Sequence, residues 1–241
     1  MSHRLRANGR ARFHARAPRS TAEPSSDGSV LASSTSADDG ATGKIVIALG
    51  VAMLLASSDR TIFAAAALSI KSELAMSMKD VALAQSSFLW GYGVTQLAAG
   101  AASDKYGGVK VLLGGLAMWS LAVAATPVSA MTSAPVMAVV ASRFLFGAAS
   151  GCALPASAAA VAAHVPEERR SGALSTIFAL FNIGSAFGLA AAGGLISQFG
   201  WKMIFYAFGL FGLAWAIGSY SSMPKSVKSF VPASSAATPA R

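Results

Sequence analysis

From Lys44 onward, long apolar stretches alternate with short polar breaks. Six stretches stand out, at residues 45–70, 81–103, 109–128, 135–156, 172–196 and 203–220. Each reaches or nearly reaches the ~20 residues that carry a helix across a bilayer core. A membrane barrel would instead show ~10-residue segments of strict alternation, and none occur. In hydrocarbon the backbone must satisfy its own hydrogen bonds, so an open chain crosses only as helix. The pattern therefore predicts an all-α membrane domain of six transmembrane helices over residues 44–222. Residues 1–43 hold no long apolar run and read as a disordered tail, while 223–241 return to Ser, Pro and Lys and read as the start of a loop.

Composition narrows the class. Of 241 residues, 54% are hydrophobic and 12% charged, against a charged share of ~25% in ordinary soluble domains. That excludes a wholly disordered chain and argues against a water-soluble enzyme. Cys152 is the one cysteine, so there is no disulfide framework and no Cys-rich metal site. His3 and His14 lie in the tail and His164 in a loop, and no P-loop is present, so acid–base or nucleotide chemistry inside the bundle has no residues to use.

The net charge of +9 is unevenly placed. Arg4, Arg6, Arg10, Arg12, Arg16 and Arg19 precede the first acid, Glu23. An Arg-rich, acid-free start reads as a plastid or mitochondrial transit segment, with a plain cytosolic tail as the other reading. Only Phe13 interleaves these arginines, so nucleic acid is not an expected partner. Lys105, Lys110, Arg169, Arg170, Lys225, Lys228 and Arg241 fall on the same side as the tail, and Lys71, Lys79 and Lys202 on the other. The positive-inside bias places both termini in the cytoplasm or its equivalent, such as a plastid stroma.

Three charges fall inside spans: Asp59 and Arg60 in the first, Arg143 in the fourth. A charge near mid-bilayer costs at least ~2.5–3.5 kcal/mol on insertion scales. Asp59 can neutralise one arginine, which leaves the second for a visiting anion; a structural ion pair is the other reading. Spans one and four are each the first of three helices, and transporters built from three-plus-three repeats hold substrate between the repeats. Guanidinium forks suit carboxylate or phosphate, offering two parallel donors to two oxygens.

Gly100, Asp104, Gly107 and Lys110 resemble the loop motif between the second and third helices of the major facilitator superfamily, and Arg143, Gly147 and Gly151 resemble its fourth-helix pattern. Ser86-Ser-Phe-Leu-Trp-Gly-Tyr92, Thr95-Gln96, Ala153-Leu-Pro155, Val165-Pro166, Arg169-Arg-Ser171, Gly200-Trp201 and Phe205-Tyr206 resemble the anion:cation symporter branch, which includes sodium/phosphate cotransporters, vesicular glutamate transporters and plastid phosphate transporters. The resemblance runs from Lys44 to Tyr220. It implies the N-terminal half of such a protein: a six-helix bundle of three-plus-three inverted repeats, in a lipid bilayer. It implies alternating-access transport of phosphate or an organic anion, with Na⁺ or H⁺ coupling and no other cofactor. Arg60 and Arg143 would bind substrate, and Asp59 would serve a coupling ion or an ion pair. Gly100, Asp104, Lys105, Gly107 and Lys110 would form the gating loop, and Gln85, Tyr92 and Ser150 would line the cavity. Gln85 points to the plastid members, hence a chloroplast envelope or thylakoid membrane, with mitochondrial or plasma membranes as the other locations. Ser150 stands where the branch carries an acid, and a serine does not exchange a proton at physiological pH. Ala158 and Ala159 stand where plastid members carry asparagine. The branch has twelve helices, so six imply a second six-helix half or a homodimer. The competing expectation is a truncated or degenerate half-transporter that moves nothing alone and serves as a fragment or regulatory membrane partner.

Overall fold

The computed structural model describes residues 27–224 and residue 227, with side-chain surroundings from residue 42 onward. Helix α1 spans Asp27–Glu73, α2 Met78–Tyr106, α3 Gly108–Ala125, α4 Pro135–Ser150, α5 Ala153–His164, α6 Glu167–Phe199 and α7 Trp201–Ser222. A 3₁₀ turn, Thr126–Met131, follows α3. Among the described residues no strand occurs.

The spans at Thr42–Glu73, Gly108–Met131, Pro135–His164, Glu167–Phe199 and Trp201–Ser222 are long and apolar enough to cross a membrane. The remaining expected span, α2, is 29 residues long, or ~43 Å at 1.5 Å per residue. It falls below the apolarity of the other five because Gln85, Ser86, Ser87, Thr95 and Gln96 interrupt it. It packs along α4 over its length and so crosses with it.

Several boundaries differ from the sequence pattern. The tail expected over 1–43 lies outside the described residues as far as 26, and α1 already begins at Asp27. The third span ends as a 3₁₀ turn because Pro127 has no amide to continue the helix; the Thr126 amide instead donates to the Val123 carbonyl. The fourth span runs to His164, not Ala156, and is broken at Gly151–Cys152. Pro155 causes the break: it lacks the amide that would reach the Gly151 carbonyl, and its ring crowds that carbonyl. Hydrogen bonding resumes from the Ala156 amide to the Cys152 carbonyl at 2.9 Å. The loop expected over 223–241 lies outside the described residues apart from Met223, Pro224 and Val227.

The connections repeat. Gly107 alone joins α2 to α3, and Gly200 alone joins α6 to α7. Both take positive φ, 91° and 78°, a region that glycine enters without steric cost. Each donates its amide to the carbonyl four residues back, on Ser103 and Ile196. These turns occupy the same place in two successive three-span units. The packing follows the same plan. The first span rests on the fifth (α1 on α6), the second on the fourth (α2 on α4) and the third on the sixth (α3 on α7). Exchanging the two units turns the first pair into the second and leaves the third unchanged, as an inverted repeat requires.

Small residues bring these helices into backbone contact. A Cβ at Gly91 would land on the Phe144 carbonyl, one at Gly147 on that of Phe88, and one at Gly184 on that of Leu54. Gly209 meets Ser120 and Ala124 across the α3–α7 seam. α1 is the most enclosed of the five spans and α6 the least. Leu68, Trp90, Leu97, Met118, Leu210 and Ile217 point outward, as lipid-facing side chains do.

Candidate functional site

The polar run Ser57-Ser58-Asp59-Arg60-Thr61 sits in the middle of α1. Its serines tie the helix to α6: the Ser58 hydroxyl donates to the Gly184 carbonyl at 2.8 Å, and the Ser57 and Ser185 hydroxyls pair directly. Gly184 permits this approach, because any larger residue would strike Leu54. The chain thus spends its small residues on fixing the rotation of α1, and that rotation decides where the charges point.

Arg60 is half-buried. Its guanidinium carbon lies 4.9 Å from the centroid of Phe88, 5.7 Å from Tyr92 and 5.7 Å from Phe181. Its Nε has no hydrogen-bond partner. Arg143 is enclosed, with 2% of its surface exposed. Its guanidinium carbon lies 4.4 Å from the Phe63 centroid and 4.7 Å from that of Phe146, and its Nε and Nη2 have no partner. Phe88 and Phe146 pack with centroids 5.4 Å apart. Arg60, Phe88, Phe146 and Arg143 thus form one chain of contacts, with each arginine on a different ring of the pair. Ring faces stabilise a desolvated cation by up to ~2 kcal/mol, without supplying the directed acceptors a guanidinium prefers.

Asp59 is 1% exposed. It lies in electrostatic reach of Arg143, and the Trp119 indole N–H approaches it without reaching hydrogen-bond geometry. Oδ1 of Asp59 is without a partner. The enclosed acid is therefore in electrostatic range of the enclosed arginine. Arg60 is the more exposed of the two arginines.

The other sequence-derived residues divide by distance. Tyr92 is half-buried beside Arg60, and Gln85 is half-buried one turn from Phe88. Ser150 is buried, its hydroxyl donating to the Gly147 carbonyl at 3.2 Å. Asp104 and Lys105 are exposed, Gly100 and Lys110 half-buried, and Gly107 forms the turn. Twelve residues of α2 separate Tyr92 from Asp104, ~18 Å along the axis, so this loop does not join the arginine cluster. At the opposite end, Glu73 ties α1 to α7: it accepts from the Trp201 indole at 2.6 Å and pairs with Lys202 at 2.5 Å. α2 begins there with a capping box, in which the Ser77 amide and then its hydroxyl hold the Asp80 carboxyl below its usual range.

Sequence reasoning did not find Phe63, Phe146, Phe181 or Trp119. Phe146 had a signal, since it lies three residues after Arg143 on the same helix face. Phe63 has the same spacing from Arg60 yet covers Arg143, and that crossing depends on the placement of α1 against α4.

A multi-pass helical bundle of two three-span units, with cations held at their centre, defines an integral membrane protein built on a transporter-type repeat. The chain belongs to the Major Facilitator Superfamily, whose family model matches residues 49–240. It falls in the branch of chloroplast anion transporters, as their N-terminal half. It is 39% identical to the Arabidopsis thaliana "Sodium-dependent phosphate transport protein 1, chloroplastic" over 71% of this chain and 33% of that protein. It is 38% identical to the Oryza sativa subsp. japonica "Probable anion transporter 4, chloroplastic" over 71% and 29% of the two chains. It is 37% identical to the Arabidopsis thaliana "Ascorbate transporter, chloroplastic" over 71% and 31%. The chain spans about a third of the length of these curated relatives. It is an integral, multi-pass plastid membrane protein of a transporter family rather than an enzyme family.

Proposed function

We propose that this chain is the anion-handling half of a plastid secondary transporter, which moves inorganic phosphate or an organic anion by alternating access with Na⁺ or H⁺ coupling. The observation that carries the proposal is Arg60. It is a cation in mid-span with a free Nε donor, set among three aromatic rings and beside the Tyr92 hydroxyl. An arriving oxyanion offers what the rings lack, two oxygens in the plane of the fork. Arg60 makes the first contact, beside the Tyr92 hydroxyl. Arg143, held over Phe63 and Phe146 in the same cluster, adds positive potential there. Asp59 lies in electrostatic range of Arg143 and is the carboxylate available to a coupling ion. The names of the relatives support phosphate and ascorbate as the first substrates to try.

Alternating access needs a second bundle to close the cavity. A second six-helix half, or a second copy of this chain, supplies it. The test is uptake of labelled phosphate and of labelled ascorbate into proteoliposomes holding the protein, under imposed Na⁺ or H⁺ gradients. Uptake of at least one anion is expected to rise with one of the two gradients. Arg60→Gln is expected to lower it at least ~10-fold, the loss expected for a charge-assisted hydrogen bond. Equal uptake by wild type, Arg60→Gln and protein-free liposomes would overturn the proposal.

A further inference from the structure

On the outer surface, between α3 and α7, lies a groove of about 350 Å³ lined by Lys110, Gly114, Ala117, Ala216, Ile217 and Tyr220 among others. It lies apart from the arginine cluster, and neither the family nor the named relatives assign it a role. Lys110 stands three residues past the Gly107 turn and Tyr220 two residues before the end of α7, so both mark the same end of the bundle. By the positive-inside distribution that end faces the stroma. From Lys110 to Ala117 the groove descends seven residues, ~10 Å into the hydrocarbon. Below Lys110 its α3 wall is apolar, and Gly114 keeps it open, since a Cβ there would meet nothing within 4 Å. Ile217, on its α7 wall, points outward.

Water does not fill an apolar slot at this depth, because no polar group there satisfies it. What surrounds it is acyl chain. At the mouth, Lys110 supplies a cation at headgroup height and Tyr220 an aromatic ring of the kind enriched at membrane interfaces. Most of the chain's basic residues share this side. We propose that the α3–α7 groove binds one anionic glycerolipid, with an acyl chain along Gly114 and Ala117 and the headgroup phosphate on Lys110. A basic pocket between transmembrane helices on this side of a membrane has the chemistry for such a headgroup. The site uses neither arginine and opens to lipid rather than to a cavity; it shares Lys110 with the expected gating loop, so its test reads lipid retention and not transport.

Native mass spectrometry of the protein, released from membranes of equimolar phosphatidylglycerol and phosphatidylcholine, tests this. Wild type is expected to retain one lipid with about fivefold preference for phosphatidylglycerol. Lys110→Gln is expected to retain one lipid without preference. Gly114→Phe, which fills the groove where no atom stands in the way, is expected to retain neither. An undiminished phosphatidylglycerol preference in Lys110→Gln, or wild-type retention in Gly114→Phe, would overturn the proposal.

Discussion

Asp59 and Arg143 are both enclosed, and each keeps polar atoms without a hydrogen-bond partner. Two enclosed opposite charges in electrostatic range offset part of each other's desolvation cost, and removing one leaves the other uncompensated. Arg143→Met is therefore expected to destabilise the bundle strongly, and Asp59→Asn to do so as well. The double variant should lose less than the sum, because no charge is then stranded. Thermal unfolding in detergent checks this, and strictly additive losses would show that the two residues do not hold each other. Arg60 differs from this pair. It is half-buried and leans on rings from α2 and α6, so Arg60→Gln is expected to spare stability and act on anion handling. The charges themselves were legible in the sequence, since any charge in an apolar span draws attention. Which arginine is enclosed was not legible: both lie in mid-span, and only the rotation of α1 and α4 against α2 distinguishes them.

The helices meet through glycines, and these divide into two kinds. Gly147 lies against Phe88, with no space for a Cβ, while Gly93 on the neighbouring helix faces open space. Gly147→Ala must push α2 and α4 apart, at the ~1–3 kcal/mol typical of overpacking. It would also shift Phe88, one of the rings under Arg60. Gly93→Ala is expected to be neutral or slightly stabilising, since alanine is the better helix former. Paired melting curves read both, and equal melting temperatures for the two variants would contradict this reading of the α2–α4 seam. Hydropathy alone located five of the six spans securely. α2 was found as well, although Gln85, Thr95 and Gln96 make it the most polar; all three are half-buried within the bundle. The break at Gly151–Cys152 was legible in principle from Pro155, but an apolar run through Ala156 conceals it, because composition does not change where the hydrogen bonding does. The 3₁₀ end of the third span after Pro127 is the same kind of feature.

At the scale of the molecule, one-glycine turns at Gly107 and Gly200 and the exchange-symmetric helix pairs define a three-plus-three bundle. The chain matches its curated relatives over about a third of their length, and one bundle offers only one wall for a cavity. The proposed transporter therefore places its substrate against the Arg60 face of this bundle and against a second bundle opposite. The central claim is that the ring-held guanidinium of Arg60 is an oxyanion site. The direct measurement is equilibrium binding of labelled phosphate and labelled ascorbate to the protein in nanodiscs, compared between wild type, Arg60→Gln and Arg60→Lys. Saturable binding of one anion is expected in wild type, with affinity falling at least ~10-fold in Arg60→Gln and partly recovered in Arg60→Lys, which keeps the charge but not the fork. Saturable binding of the same affinity in all three proteins, or none in wild type, would contradict it.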